Sequence, residues 1–274
     1  MRFTKMEALG NDFVVINAIG QPVTLSVEQI RQISARRRGV GCDQVLLAEP
    51  AKSVAADVRY RIFNADGSEV EHCGNGVRCL ARFLVDEGIV SGPRVSIETG
   101  NGIHLVEISS AGEVTVAMGE PILEPVRIPF QATERADAYQ LETVAGEQQI
   151  SAVSMGNPHA LLFVDEVDNA PVQELGAIIE NHPRFPKRTN VGFLQVCSRD
   201  RVRLRVYERG VGETPACGTG ACAAVVAGRL RGLLDSSVRV ELPGGLLDIE
   251  WQAEGESIKM TGPARSVFQG EIHI

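Results

Sequence analysis

Positive charge is scarce in this 274-residue chain: 27 lysines and arginines face 35 aspartates and glutamates, for a net charge of −8 and a pI near 5.3. No surplus of cations is available to meet phosphates, so no nucleic-acid partner is expected. Lysine is scarcest, confined to Lys5, Lys52, Lys187 and Lys259. No apolar run approaches the roughly 20 residues that a membrane-spanning helix requires, and no membrane partner is expected. Met1-Arg2-Phe3-Thr4-Lys5 lacks the apolar stretch and small-residue cleavage site of an export signal. None of the six cysteines forms a C-x-x-C pair, and none stands with histidines at zinc spacing. These absences point to a cytoplasmic protein with free thiols and no metal site.

What is present is a repeat. Cys73-Gly74-Asn75-Gly76 returns as Cys217-Gly218-Thr219-Gly220, 217 − 73 = 144 positions later. Val58-Arg59-x-Arg61 answers Val202-Arg203-x-Arg205, and Glu69 answers Glu213. Gly10-Asn11 echoes Gly156-Asn157, and Val40-Gly41-x-x-Gln44-Val45 echoes Val191-Gly192-x-x-Gln195-Val196. Met118 to Pro121 is spaced like Met260 to Pro263. A repeat of this length implies two similar halves related by a pseudo-dyad.

Short alternating or β-branched runs dominate both halves, from Phe13–Asn17 and Gln44–Glu49 to Val238–Leu242 and Gly245–Trp251, separated by Gly, Asn and Pro. Ser26 with Gln29 makes a capping-box start for a helix ending near Gly39, so that Arg36-Arg37-Arg38 becomes a solvated helix end. A second helix follows Pro171 and reaches about Asn181. After each Cys-Gly-x-Gly the chain turns helical and apolar, over Val77–Leu84 and Ala221–Leu230. The latter is apolar nearly all round, so it should be enclosed. The expected class is α+β: two pseudo-symmetric domains, each a curved, mainly antiparallel β-sheet or barrel wrapped around a central helix, with the active site in the cleft between them. The proline-rich segment 119–130 is the expected crossover.

A cysteine just before a helix sits among unpaired N–H groups and roughly half a positive charge, which favours the thiolate and makes an anion site suited to a carboxylate. Two such starts converging on one molecule could hold a carboxylate while two sulfurs flank the neighbouring carbon. One thiolate would remove a proton and the opposite thiol would return one, inverting the centre. Cys73 and Cys217 are therefore the catalytic candidates, whereas Cys42, Cys79, Cys197 and Cys222 read as small core hydrophobes. Asn64 and Glu208 each precede their cysteine by nine positions, and a carboxylate there could bind an α-ammonium. Arg209 follows Glu208 directly, while Asn11, Asn157 and Asn190 occupy loop tips where amides orient polar ligands. His159 could tune a thiolate. A phosphate loop is disfavoured because no lysine follows either glycine motif.

At these residues the chain resembles diaminopimelate epimerases. The resemblance is carried by Leu9-Gly10-Asn11-Asp12-Phe13, Asp43-Gln44, Phe63-Asn64-Ala65-Asp66-Gly67-Ser68, Met155-Gly156-Asn157-Pro158-His159, Asn190-Val191-Gly192-Phe193, Tyr207-Glu208-Arg209-Gly210 and both cysteine motifs. It implies interconversion of L,L- and meso-diaminopimelate without a cofactor, with Cys73 and Cys217 as the acid–base pair. It also implies substrate binding by Asn11, Gln44, Asn64, Asn157, Asn190, Glu208 and Arg209 with the amides of Gly74, Asn75, Gly218 and Thr219. His159 and Glu208 would modulate the cysteines. The last strand would return to the first half, dividing the chain into residues 1–118 plus 263–274 and residues 119–262. Glu7-Ala8 stands where His-Gly is more usual, and Cys42 where Phe is common, both expected to pack near the site. Phe268 takes the place of a Tyr at the family's dimer interface, so a homodimer is implied.

A proline or hydroxyproline enzyme would share the two-cysteine design without needing polar anchors for a second charged end. A pyridoxal-dependent racemase is disfavoured, since none of the four lysines lies in a plausible motif. A binding module would not need duplicated cysteines, and a thiol-redox protein would want a close pair on one segment.

Overall fold

The computed structural model describes residues 1–20, 23–70, 73–100 and 102–273. Along the chain run β1 (Arg2–Ala8), β2 (Asn11–Asn17), α1 (Val27–Ser34), β3 (Gln44–Pro50), β4 (Val58–Asn64), β5 (Glu69–Val70), α2 (Gly74–Asp86), β6 (Arg94–Thr99), β7 (Gly102–Ile108) and β8 (Val114–Ala117). There follow β9 (Tyr139–Thr143), β10 (Gly146–Ser154), β11 (Pro158–Phe163), α3 (Val172–Glu180), β12 (Asn190–Ser198), β13 (Arg201–Glu208), β14 (Gly212–Thr214) and α4 (Gly218–Leu230). The chain closes with β15 (Ser237–Leu242), β16 (Gly245–Glu250), β17 (Lys259–Gly262) and β18 (Arg265–Glu271). Two compact units result: Met1–Ala117 with Thr261–Ile274, and Met118–Met260.

The first unit is a mainly antiparallel sheet in which β18, β1 and β2 run antiparallel in succession, β2 lies parallel to β3, and β3 lies antiparallel to β4. β4 is parallel to β6, which continues antiparallel through β7 to β8. A parallel neighbour demands a long crossover, and the two parallel pairs are bridged by the segments carrying α1 and α2. The second unit repeats this wiring. β10–β11 is antiparallel, β11–β12 parallel, β12–β13 antiparallel, β13–β15 parallel and β15–β16 antiparallel, with α3 and α4 in the crossovers.

α2 touches strands of the first unit from β1 to β8, and α4 touches β10 to β13 and β16. Every residue of α4 from Gly220 to Gly228 is buried. Its small side chains allow the enclosing strands to close around it. α1 and α3 lie outside, each over its own apolar layer: Ile30 and Ile33 on Phe3, Val14, Val45 and Leu47, and Leu175 and Ile179 on Phe185, Val191 and Phe193.

The repeat is visible as an ion pair. Arg61 on β4 grips Glu69 on β5 at 2.7 and 2.8 Å, and Arg205 on β13 grips Glu213 on β14 at 2.6 and 3.0 Å. One sequence echo is misaligned. Val45 pairs with Phe63 as Val191 pairs with Tyr207, so the counterpart of Gln44 is Asn190 rather than Gln195. The offset 191 − 45 = 146 is that of Asn11 and Asn157 (157 − 11 = 146). Gln195 lies deeper in β12 and accepts from the Val167 N–H at 3.1 Å.

Three further expectations need correction. α1 keeps its capping box between Ser26 and Gln29 but ends at Ser34, because Ala35 turns extended. Arg36 therefore leaves the helix and forks onto Asp12, with both contacts at 2.9 Å, instead of forming a solvated helix end. Helices α2 and α4 begin at Gly74 and Gly218, three residues before the apolar runs, since enclosure overrides the low helix propensity of glycine. Cys42, Cys79 and Cys222 are buried, but Cys197 is exposed, because β12 runs on past the core into its hairpin with β13.

Candidate active site

Cys73 and Cys217 each stand immediately before the enclosed helix of their unit, both in extended backbone (φ −144°, ψ 115° and φ −128°, ψ 106°). Neither helix has an acidic side chain in its first turn, so the positive end is not neutralised from within. The motif glycines also serve packing. A Cβ on Gly76 would come within 2.8 Å of the Tyr60 hydroxyl, and one on Gly218 within 2.9 Å of the Met260 sulfur.

In the first unit, Asn11 follows a tight β1–β2 turn whose residues Leu9 and Gly10 both have positive φ (56° and 82°). The turn is tied by the Gly10 N–H to Glu7 at 3.2 Å, which is what Glu7 contributes near the site. Asn11 Oδ1 lies 3.8 Å from Cys73 Sγ, while its amide donates to Asp43 at 3.0 Å. Asp43 is held in turn. Its N–H donates to Asp12 at 2.8 Å, and Arg36 reaches both carboxylates. Lys5, nearly buried, adds bonds to Asp12 and to the Gly41 carbonyl. Burial alone would raise the Asp12 pKa, but Arg36 and Lys5 more than reverse it and hold the carboxyl well below its usual range. Gln44 and Asn64 sit opposite each other on β3 and β4 and share a 2.9 Å hydrogen bond. Gln44 Oε1 is buried with no hydrogen-bond partner. Asn75 turns its side chain to the fully buried Arg78, at 2.8 Å.

The second unit gathers its candidates more tightly. Asn157, His159 and Thr219 form a triangle: His159 Nε2 is 3.1 Å from both Asn157 Oδ1 and Thr219 Oγ1, and the Asn157 amide donates to Thr219 Oγ1 at 3.3 Å. Thr219 Oγ1 lies 3.6 Å from Cys217 Sγ. His159 is wholly buried, and burial together with the Arg209 charge brings its pKa down to about 3, so the ring is neutral. Cys217 is 4% exposed. Burial, and then the charge of Glu208, drive its thiol well above the usual cysteine range, outweighing the pull of Thr219 and the Gly220 N–H. Burial and Glu208 thus oppose the thiolate that a helix start favours at Cys217. Glu208 accepts from Thr214 at 2.6 Å. Asn190, buried, accepts from the Arg209 N–H at 2.9 Å and donates to the Pro158 carbonyl at 3.1 Å.

The candidates thus form two clusters, one per unit, while Phe268 lies apart on β18, half exposed and edge-on to Phe3 at 5.9 Å. Three supporting residues escaped sequence reasoning: Asp12, Asp43 and Arg36. The signal was available, since an aspartate adjoins each of the candidates Asn11 and Gln44. Among the described residues, no group of three or more His, Cys, Asp or Glu is placed to hold a metal ion. No described helix is long and apolar enough to cross a membrane.

The profile of a family described as diaminopimelate epimerase matches residues 3–124 and 151–267 of this chain. The chain is 67% identical over 274 residues to a diaminopimelate epimerase of Halorhodospira halophila, covering all of this chain and 96% of that relative. It is 62% identical over 276 residues to the diaminopimelate epimerase of Alkalilimnicola ehrlichii, covering 100% and 99% of the two chains. Among solved structures it is similar to a phenazine biosynthesis protein of the PhzF family from Bacillus anthracis (TM-score 0.70, 19% identity, 100% and 99% covered). It is also similar to a hydroxyproline epimerase from Agrobacterium vitis with bound trans-4-hydroxy-L-proline (TM-score 0.69, 20% identity, 98% and 91% covered). At these identities the structures speak to the fold alone.

Proposed function

The chain belongs to the diaminopimelate epimerase family, and on that premise we propose that it interconverts L,L- and meso-diaminopimelate without a cofactor, one cysteine sulfur removing the α-proton and the other delivering a proton to the opposite face. The observation that carries this is the pair of cysteines, each placed before the enclosed helix of a unit with the same wiring. In one direction the Cys73 thiolate takes the α-proton, becoming a thiol as the C–H electron pair passes into the substrate carboxylate as an enolate. The Cys217 thiol returns its proton to the opposite face of that carbon and is left as thiolate. The reverse reaction exchanges the roles. The raised pKa of Cys217 supports its standing as the thiol in the free protein. First-turn amides of Gly74, Asn75, Gly218 and Thr219 suit the substrate carboxylate, where charge builds in the transition state. Glu208 suits the α-ammonium. Asn11, Gln44, Asn64, Asn157, Asn190 and Arg209 supply the remaining polar contacts. Membership of the family extends the proposal to a cytoplasmic homodimer.

The test is incubation with L,L-diaminopimelate in deuterium oxide without added cofactor. Deuterium should enter the α-carbon as the meso isomer forms. C73A and C217A should each lower turnover by about a thousandfold or more while keeping wild-type circular dichroism. Robust epimerisation by either variant would refute the assignment.

A further inference from the structure

His159 offers a way to locate a proton that decides how Cys217 works. Its Nδ1 is buried without a partner, while Nε2 faces the Asn157 carbonyl oxygen at 3.1 Å. With the proton on Nδ1, an N–H would be buried unpaired and two acceptors would face each other across 3.1 Å. With the proton on Nε2, the N–H has an acceptor and only a lone pair goes unused, the cheaper arrangement. The ring therefore carries its proton on Nε2. Thr219 Oγ1 consequently faces donors on two sides, the His159 N–H at 3.1 Å and the Asn157 amide at 3.3 Å. Neither can accept the hydroxyl proton of Thr219. Among the described contacts of that oxygen, the remaining acceptor is Cys217 Sγ at 3.6 Å, within range for sulfur.

We propose that Thr219 is a positioning residue whose hydroxyl, turned by Asn157 and the neutral His159, donates its proton to the Cys217 sulfur and steadies the thiolate that forms there. The proposal rests on the two-thiol reading and assigns the side chain of Thr219 a role separate from that of its backbone amide. The Cys217 sulfur thereby works under two influences: the charge of Glu208 favours its protonated form, and its lone pair receives the Thr219 O–H. When the thiol gives up its proton, the charge left on sulfur already has a donor in place. When Cys217 acts as base in the opposite direction, the same bond favours the ionised form that must attack. No covalent bond forms or breaks at Thr219. The first unit lacks this device at the matching positions. Phe13, the register counterpart of His159, carries no polar group, and the Asn75 side chain is committed to Arg78. The two thiols are thus tuned by different means, with Glu208, His159 and Arg209 the ionisable groups that face the Cys217 cluster.

Thr219→Val keeps the β-branched shape and the backbone amide but removes the hydroxyl, and Thr219→Ser restores it. Loss of one hydrogen bond to a charged sulfur should lower kcat in T219V by about tenfold to a hundredfold with KM little changed, and T219S should recover most of that loss. Peptide-resolved labelling with iodoacetamide supplies a second readout: labelling of Cys217 should slow in T219V, and that of Cys73 should not. Wild-type kcat in T219V, failure of serine to recover activity, or equal slowing at both cysteines would each overturn the proposal. C217A, assayed beside them, separates the two levels. An inactive C217A with a fully active T219V defeats only the hydroxyl's role, whereas an active C217A defeats the two-thiol reaction itself.

Discussion

His159 has no accessible surface, and its pKa of about 3 has a consequence for stability. The unfolded chain would bind a proton near pH 6.5, whereas the folded protein resists it down to about 3, so the group's contribution is intact above 6.5 and is lost as pH falls through that window. By pH 5 the loss is about 2 kcal/mol from this residue alone. Replacing it with phenylalanine, the residue that Phe13 supplies at the matching place in the first unit, removes the proton uptake. Urea unfolding of H159F between pH 6 and 4 should show a stability slope shallower by about one proton, near 1.4 kcal/mol per pH unit. An unchanged slope would mean that the histidine is charged in the folded state. At this scale the cysteines and asparagines were legible, because glycine-flanked polar residues recur in register. The protonation of Cys217 was not. It depends on burial by surrounding strands and on Glu208, neither of which the local pattern around a helix start reports. Thr219 was likewise read for its amide, and its hydroxyl acquires meaning only once Asn157 and His159 are beside it.

The enclosed helices explain why the cysteine motifs are rich in glycine. Gly76 sits under Tyr60, whose hydroxyl reaches the Cys73 carbonyl at 3.5 Å, and an added Cβ would stand 2.8 Å from that oxygen. Gly76 is not among the positive-φ glycines, so the obstacle to a larger residue is this contact rather than backbone strain. Gly76→Ala should therefore cost about 1–3 kcal/mol through overpacking, read as a lower urea midpoint. Tyr60→Phe, which deletes the obstructing oxygen, should cost less in the G76A background than in the wild type. Strict additivity of the two changes would place the clash elsewhere. The four helices and most of the longer strands were legible at this scale because alternation and apolar periodicity report burial directly, whereas β1, β9 and β18 were not read as strands from that pattern. Element ends were less so. α1 stops five residues before Gly39 (39 − 34 = 5) because Ala35 turns extended, and Arg36 beyond it pairs with Asp12, 24 positions away, a contact that local periodicity does not report. β12 carries Cys197 into solvent because alternation does not say where the core beneath a strand ends.

At the scale of the whole chain, the repeat announced two units of one design. It misplaced Gln44 only because a short motif match competed with strand register, and register reads the hydrogen-bonded pairing rather than residue identity. The proposed homodimer belongs to this scale and turns on β18. There Val267 and Phe268 are 57% and 48% exposed, a large apolar surface on neighbouring residues. Phe268 also rests edge-on against Phe3 of β1, so the ring is already held in one orientation, which lowers the entropy cost of using it in an interface. Sedimentation equilibrium should find a dimer at micromolar protein. Phe268→Arg puts a charge into that contact and should shift the protein to monomer. The exposed position predicts a change of less than about 1 kcal/mol in the stability of the chain itself. Phe268→Tyr adds a hydroxyl at the ring edge and should tighten association by roughly fivefold, the worth of one ordinary hydrogen bond. A monomeric wild type, or a dimer indifferent to arginine at this position, would remove β18 from the interface.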